Sequence, residues 1–99
     1  MVILANPVHP GEVLKTMFLD EMDLTAGKVA KAIKVPRTRI ERIVKKEMGV
    51  SADTATRLSK FFGTTPEFWL NLQRGFDLAM VAKDERLSHD LAEIERIAV

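Results

Sequence analysis

Residues 28–46 read KVAKAIKVPRTRIERIVKK, and the spacing within them decides the fold. Val29, Ala30 and Ile33 fall on one face of a helix whose N-cap is expected at Thr25. After Val35, PRTRIERIVKKE sets Ile40, Ile43, Val44 and Glu47 on one face of a second helix, so its buried stripe is three residues long. Only Lys34, Val35 and Pro36 separate Ile33 from Arg37, so the two short helices must cross sharply and at close range. With Ala26 as the first residue of a twenty-residue unit, the fourth and eighth positions are Val29 and Ile33. The tenth, fifteenth and eighteenth are Val35, Ile40 and Ile43. The fifth, where the second helix passes nearest, is Ala30, whose methyl group lets the backbones approach.

The same segment holds eight of the fifteen Lys and Arg and a single acid, Glu41, for a charge of +7, which leaves −6 on the rest of the chain. Such a field inside a chain of net charge +1 speaks about partners rather than fold. On the second helix Thr38, Arg42 and Lys45 lie opposite the apolar stripe, Arg39, Glu41 and Lys46 flank it, and Arg37 projects from the first turn. The spacing resembles the helix-turn-helix of DNA-binding repressors, whose second helix enters the major groove. Two positions depart from that pattern. Lys34 stands where Gly commonly supplies a left-handed residue. Ala26 stands where related repressors often carry Gln, which removes a side chain able to brace the recognition helix against phosphate.

Arg suits bidentate contact with guanine O6 and N7, and Lys a less directional contact with phosphate. Arg37, Thr38 and Arg42 are therefore expected at base edges. Arg39, Lys45, Lys46 and Lys28, which flank the exposed face or sit near a helix start, are expected at phosphates. A merely solvated basic face is the plain alternative for a Lys-rich helix. An interaction module whose basic helix binds an acidic protein is another. The coincidence of the charge with the short turn and the small Ala30 favours double-stranded DNA.

Outward from this unit the chain reads as helix almost throughout. HPGEVLKTMFLDEMD places Pro10 at a first helical position, with Val13 and Met17, and Leu14 and Phe18, as apolar pairs four residues apart. SADTATRLSKFFG has Ser51 as N-cap, a core edge of Leu58, Phe61 and Phe62, and Gly63 as stop. TPEFWLNLQRGFDLAMVAK opens with Thr65 and Pro66 in cap and first-turn positions. Apolar residues do not alternate with polar ones long enough for a strand. The expectation is an all-α chain of five helices and a tail.

Three stretches together, HPGEVL, VPRTRIERIV and SADTATRLSKFFGTTPEFWLNLQ, resemble the HigA-type antitoxins, a branch of the Cro/cI-like (XRE) helix-turn-helix family. The likeness runs from about His9 to Asp77. It implies a five-helix, lambda repressor-like DNA-binding domain over residues 9–83, after an N-terminal arm, 1–8, and before an acidic amphipathic tail, 84–99. It also implies a homodimer that binds an inverted-repeat operator, represses its own operon, and neutralises a co-encoded HigB-type ribonuclease toxin. An orphan repressor without a toxin would have the same sequence features.

Phe68, Leu72, Phe76 and Met80 recur every four residues, with Trp69 beside the stripe. Phe68 and Trp69 are read as core. The later part, Leu72, Phe76 and Met80, is read as a dimer seam, because so long a final helix exceeds what core closure needs. Gly75 disfavours a helix interior by roughly 1 kcal/mol relative to Ala and points to a close approach or a bend. In the tail, Leu87, Leu91, Ile94 and Ile97 line one face of a helix starting after Ser88. Packing on the domain or its twin, binding a toxin, and a frayed solvated end all remain open for it.

Other chemistries find no footing. The chain has no cysteine, which removes disulfides, zinc–thiolate sites and thiol catalysis and fits a reducing compartment. His9 and His89 form no ligand pair; His9 precedes a helix start, where an imidazole caps. Asp20, Glu21 and Asp23 read as solvated surface, and Ser51 and Ser59 have no nearby base. No phosphate-binding glycine loop or cofactor motif occurs, so neither catalytic residues nor a cofactor or metal are expected. The N-terminal MVILANPVHP lacks a basic n-region, and no apolar run approaches the roughly 20 residues of a bilayer span. A small cytoplasmic, non-enzymatic protein is expected.

Overall fold

The computed structural model describes residues 7–98, and every regular element among them is helical. Helix α1, Pro10–Val13, runs directly into a π-helical stretch, Leu14–Leu19. There follow α2, Ala26–Ile33, α3, Arg37–Val44, α4, Ala52–Phe62, α5, Pro66–Ala82, and α6, Glu85–Ala92. The expected arm falls mostly outside the described residues.

The starts follow from capping chemistry. The first amides of a helix have no partner within it, and a side-chain acceptor just ahead supplies one. Thr25 Oγ1 accepts from the Lys28 N–H at 3.1 Å, Ser51 Oγ from Thr54 at 3.2 Å, and Thr65 Oγ1 from Phe68 at 3.1 Å. His9 does the same with an imidazole: the Gly11 N–H donates to its Nδ1 at 2.9 Å. Gly63, at φ 75°, ends α4.

Several expectations are corrected. Of the pairs expected four residues apart in the first helix, Val13, Leu14 and Phe18 do turn to the core, but the helix runs into a π register, in which the Asp20 N–H donates to the Lys15 carbonyl five residues back at 2.9 Å. The wider turn brings Leu14 and Leu19 inward and leaves Met17 59% exposed. Phe61 is not core: Phe62 takes the inward place against Phe18 (4.7 Å between ring centres), and Phe61 lies outside it, edge-on. Glu47 lies beyond α3, whose last turn closes when the Glu47 N–H donates to the Arg42 carbonyl at 2.8 Å around Lys46 at φ 65°. In the tail, Asp84 rather than Ser88 is the cap, accepting from the Leu87 N–H at 3.1 Å. Ser88 is inside α6, and Ile94 and Ile97 lie past its end.

Leu14, Val29, Ile40, Ile43, Leu58 and Trp69 are sealed from solvent and form the centre of one core. Trp69 donates its indole N–H to Thr64 Oγ1 at 2.8 Å and packs 5.1 Å from the rings of both Phe18 and Phe68. Seventeen helical residues reach about 25 Å, and α5 buries Trp69 in the core near its start and turns to solvent toward its end. Leu78, Met80 and Val81 near its end are exposed.

Candidate nucleic-acid interface

The α2–turn–α3 unit is built around three residues. Lys34 adopts φ 63° and ψ 48°, the left-handed conformation that favours Gly. Its N–H and that of Val35 turn back onto the Lys31 and Ala30 carbonyls, at 3.3 and 3.0 Å, so the end of α2 is closed despite the lysine. Pro36 is extended and starts α3. Val29, Ala30, Ile33, Ile40 and Ile43 are buried and Val35 half-buried, so all six packing positions face inward and the methyl-sized Ala30 lies inside.

With that face committed, the cations of α3 point outward. Arg37, Thr38, Arg42, Lys45 and Lys46 are exposed, as is Lys28 on α2; Arg39 is half-buried. The stem of Arg37 lies across Gly27, where a Cβ would come within 3.3 Å of its Cδ, and its Nε is 3.6 Å from Glu41. Lys46 approaches Glu12 at 3.7 Å. These two exposed pairs each contribute at most about 1 kcal/mol. Arg39 is held more firmly, with Nη1 donating to Asp53 Oδ2 at 3.0 Å. Asp53 and Arg57, which the sequence reading passed over, thus belong to the surroundings of the interface. Their signal was an acid–base pair four residues apart in SADTATR.

The C-terminal end of α3 rests on the start of α1. Gly11 is buried so tightly there that a Cβ would lie 2.7 Å from the Ile43 carbonyl carbon. Beside it, burial first and then the nearby Lys46 charge hold the His9 imidazole below its ordinary pKa, opposed by Asp77. A neutral ring is the form whose Nδ1 accepts the Gly11 N–H. His9 also meets Phe76 of α5 edge-on, with 4.8 Å between ring centres.

A family model described as helix-turn-helix matches residues 14–69. The virulence-associated protein I of Dichelobacter nodosus is 43% identical over 79 residues, 80% of this chain and 73% of that protein. The structure of Pseudomonas aeruginosa antitoxin HigA with higBA promoter superposes with a TM-score of 0.84 at 38% identity, covering 94% of this chain and all of the other. The chain belongs to the HigA-type branch of the helix-turn-helix family. A further structure, antitoxin GraA in complex with its operator, matches with a TM-score of 0.87 at 37% identity, over 100% of this chain and 99% of the other. The HigA-type family consists of DNA-binding regulators and antitoxins, not enzymes.

The remaining residues of interest lie outside the helix-turn-helix unit of this HigA-type chain. Among the candidate seam residues, Leu72 packs at the edge of the core, Phe76 is half-buried on His9, and Met80 is 48% exposed. A Cβ on Gly75 would meet nothing within 4 Å, and α5 runs through it unbroken, so no close approach or break occurs there within one chain. Asp20 pairs with Lys15 at 3.0 Å on the surface. Among the described residues no three His, Cys, Asp or Glu converge as a metal site, and no helix is long and apolar enough to cross a membrane.

Proposed function

We propose that this chain is an antitoxin and autorepressor that binds an inverted-repeat operator as a homodimer and neutralises a HigB-type toxin. The observation that carries the DNA half is α3 itself, with Ile40 and Ile43 sealed inward and Arg37, Thr38 and Arg42 turned to solvent on the other side. In this reading those three meet base edges, while Arg39, Lys45, Lys46 and Lys28 meet phosphates. The HigA and GraA structures with promoter or operator DNA support it. The toxin half rests on family membership alone. Residues 9–83 act as the DNA-binding domain, and Phe76, Met80 and their neighbours on the second half of α5 meet a second copy, with Leu72 at the inner edge of that seam. Two-fold pairing then sets the two recognition helices one DNA turn, about 34 Å, apart.

Two substitutions test the assignment of roles. Arg42→Ala is expected to weaken operator binding by about 1–3 kcal/mol and relax preference at one base position. Lys45→Ala is expected to weaken operator and random duplex alike and to flatten the salt dependence by about one unit of slope. Both are read from anisotropy titrations on single-base operator variants. A uniform loss for Arg42→Ala, or a sequence-selective one for Lys45→Ala, would reverse the assignments. For the partners, light scattering should give twice the chain mass, and a toxin encoded beside the gene should copurify with the chain. A monomer would refute the seam, and a neighbouring toxin that fails to bind would leave a repressor only.

A further inference from the structure

Asp53 stands in the first turn of α4 and reaches back to the recognition helix. Its Oδ2 accepts from Arg39 Nη1 and from Arg57 Nε, each at 3.0 Å. Arg57 turns its Nη1 the other way, to the carbonyls of Ile33 (2.9 Å) and Lys34 (3.5 Å) at the end of α2. One line of polar contacts therefore runs from the helix-turn-helix turn through α4 to α3. The ends differ in freedom. Arg57 is tied at both sides, whereas the one described partner of the Arg39 side chain is Asp53. Hydrogen bonding from Arg57 is the main cause that holds the Asp53 carboxyl below its ordinary pKa, with Arg39 adding to it and desolvation opposing.

We propose that Asp53 is a specificity-determining residue, occupying Arg39 as a phosphate oxygen would and yielding it only to duplex DNA that seats fully on α3. This rests on the DNA-binding reading of α3. A carboxylate and a phosphate present equivalent oxygens to a guanidinium. On a loosely docked, non-cognate duplex no phosphate comes to the fixed position, so Arg39 stays on Asp53 and adds nothing to counterion release. On a seated operator a phosphate oxygen takes Arg39 over. Asp53 is then still neutralised by Arg57, so the exchange leaves no bare carboxylate behind. The acid thus suppresses non-specific binding more than operator binding.

The test is a salt titration of Asp53→Asn on DNA from upstream of the gene and on random duplex of equal length, with thermal melting to verify the fold. Affinity for random duplex at about 50 mM salt is expected to rise roughly three- to tenfold, with the slope steeper by about one. Operator affinity should change less than about threefold, so the ratio between the two shrinks. Adding Arg39→Gln to Asp53→Asn should return the random-duplex slope to that of the wild type. Asp53→Ser, which keeps an oxygen in the first turn of α4, gives the same readout if the Asn variant folds poorly. Unchanged random-duplex affinity and slope would reduce the carboxylate to a staple between α3 and α4 and overturn the proposal. A wild type that fails to prefer its upstream DNA at all would be a different result, removing the DNA-binding reading beneath it.

Discussion

Trp69→Ala is expected to destabilise the fold by about 3–5 kcal/mol, the usual range for truncating a buried large aromatic. Trp69 has no exposed surface, and its ring joins Phe18 before α2, Phe62 at the end of α4, and Phe68 on its own helix. Removing the indole empties that junction and leaves Thr64 Oγ1 without its donor. For a domain whose total stability is on the order of 5–15 kcal/mol, the loss is a large share. In urea the unfolding midpoint, followed by circular dichroism, should fall by at least about 1 M with little change in slope. A loss below about 1 kcal/mol would mean that α5 is not anchored to the core through this ring. Then the scaffold behind the helix-turn-helix would have to be held elsewhere.

Gly11→Ala is expected to be destabilising by about 3 kcal/mol or more, beyond the usual range for overpacking. In most helical positions the same change gains up to about 1 kcal/mol, so the sign itself is the test. The reason is what the new methyl would meet: the Ile43 carbonyl group, with its carbon 2.7 Å away, and His9 Nδ1 at 3.0 Å. A backbone carbonyl cannot rotate aside as a side chain can. Either α1 lifts from the end of α3, or the Ile43 carbonyl moves and disturbs the last turn of the recognition helix. Chemical denaturation measures the stability, and operator affinity reports on α3. A neutral or stabilising outcome would contradict the close seating of α1 on α3.

The parts of this fold legible in the sequence are those encoded over a few residues. Thr25, Ser51, Thr65 and Gly63 mark helix ends by local hydrogen bonding and by φ, so their roles follow from type and spacing. The inward set from Val29 to Ile43 is equally local, because a three-residue link leaves little choice of crossing. Lys34 was legible as a left-handed residue in spite of its side chain. The π register of Leu14–Leu19 was not, since side-chain periodicity records faces and not which carbonyl an amide finds. The choice between Phe61 and Phe62 turned on which ring meets Phe18, a contact more than forty residues distant in the chain. Asp53 and Arg57 were visible as a pair, but their hold on Arg39, fourteen residues away, exists only once α3 and α4 are side by side.

On this assignment the outward face of α3 reads DNA sequence. Its most direct test is the ratio of affinities for the DNA upstream of the gene and for random duplex of the same length, measured at about 150 mM salt. A preference of at least about a thousandfold is expected, in the range of sequence-specific DNA-binding proteins. Equal affinities would leave only a cationic surface that attracts phosphate, and would contradict the assignment of Arg37, Thr38 and Arg42 to base edges.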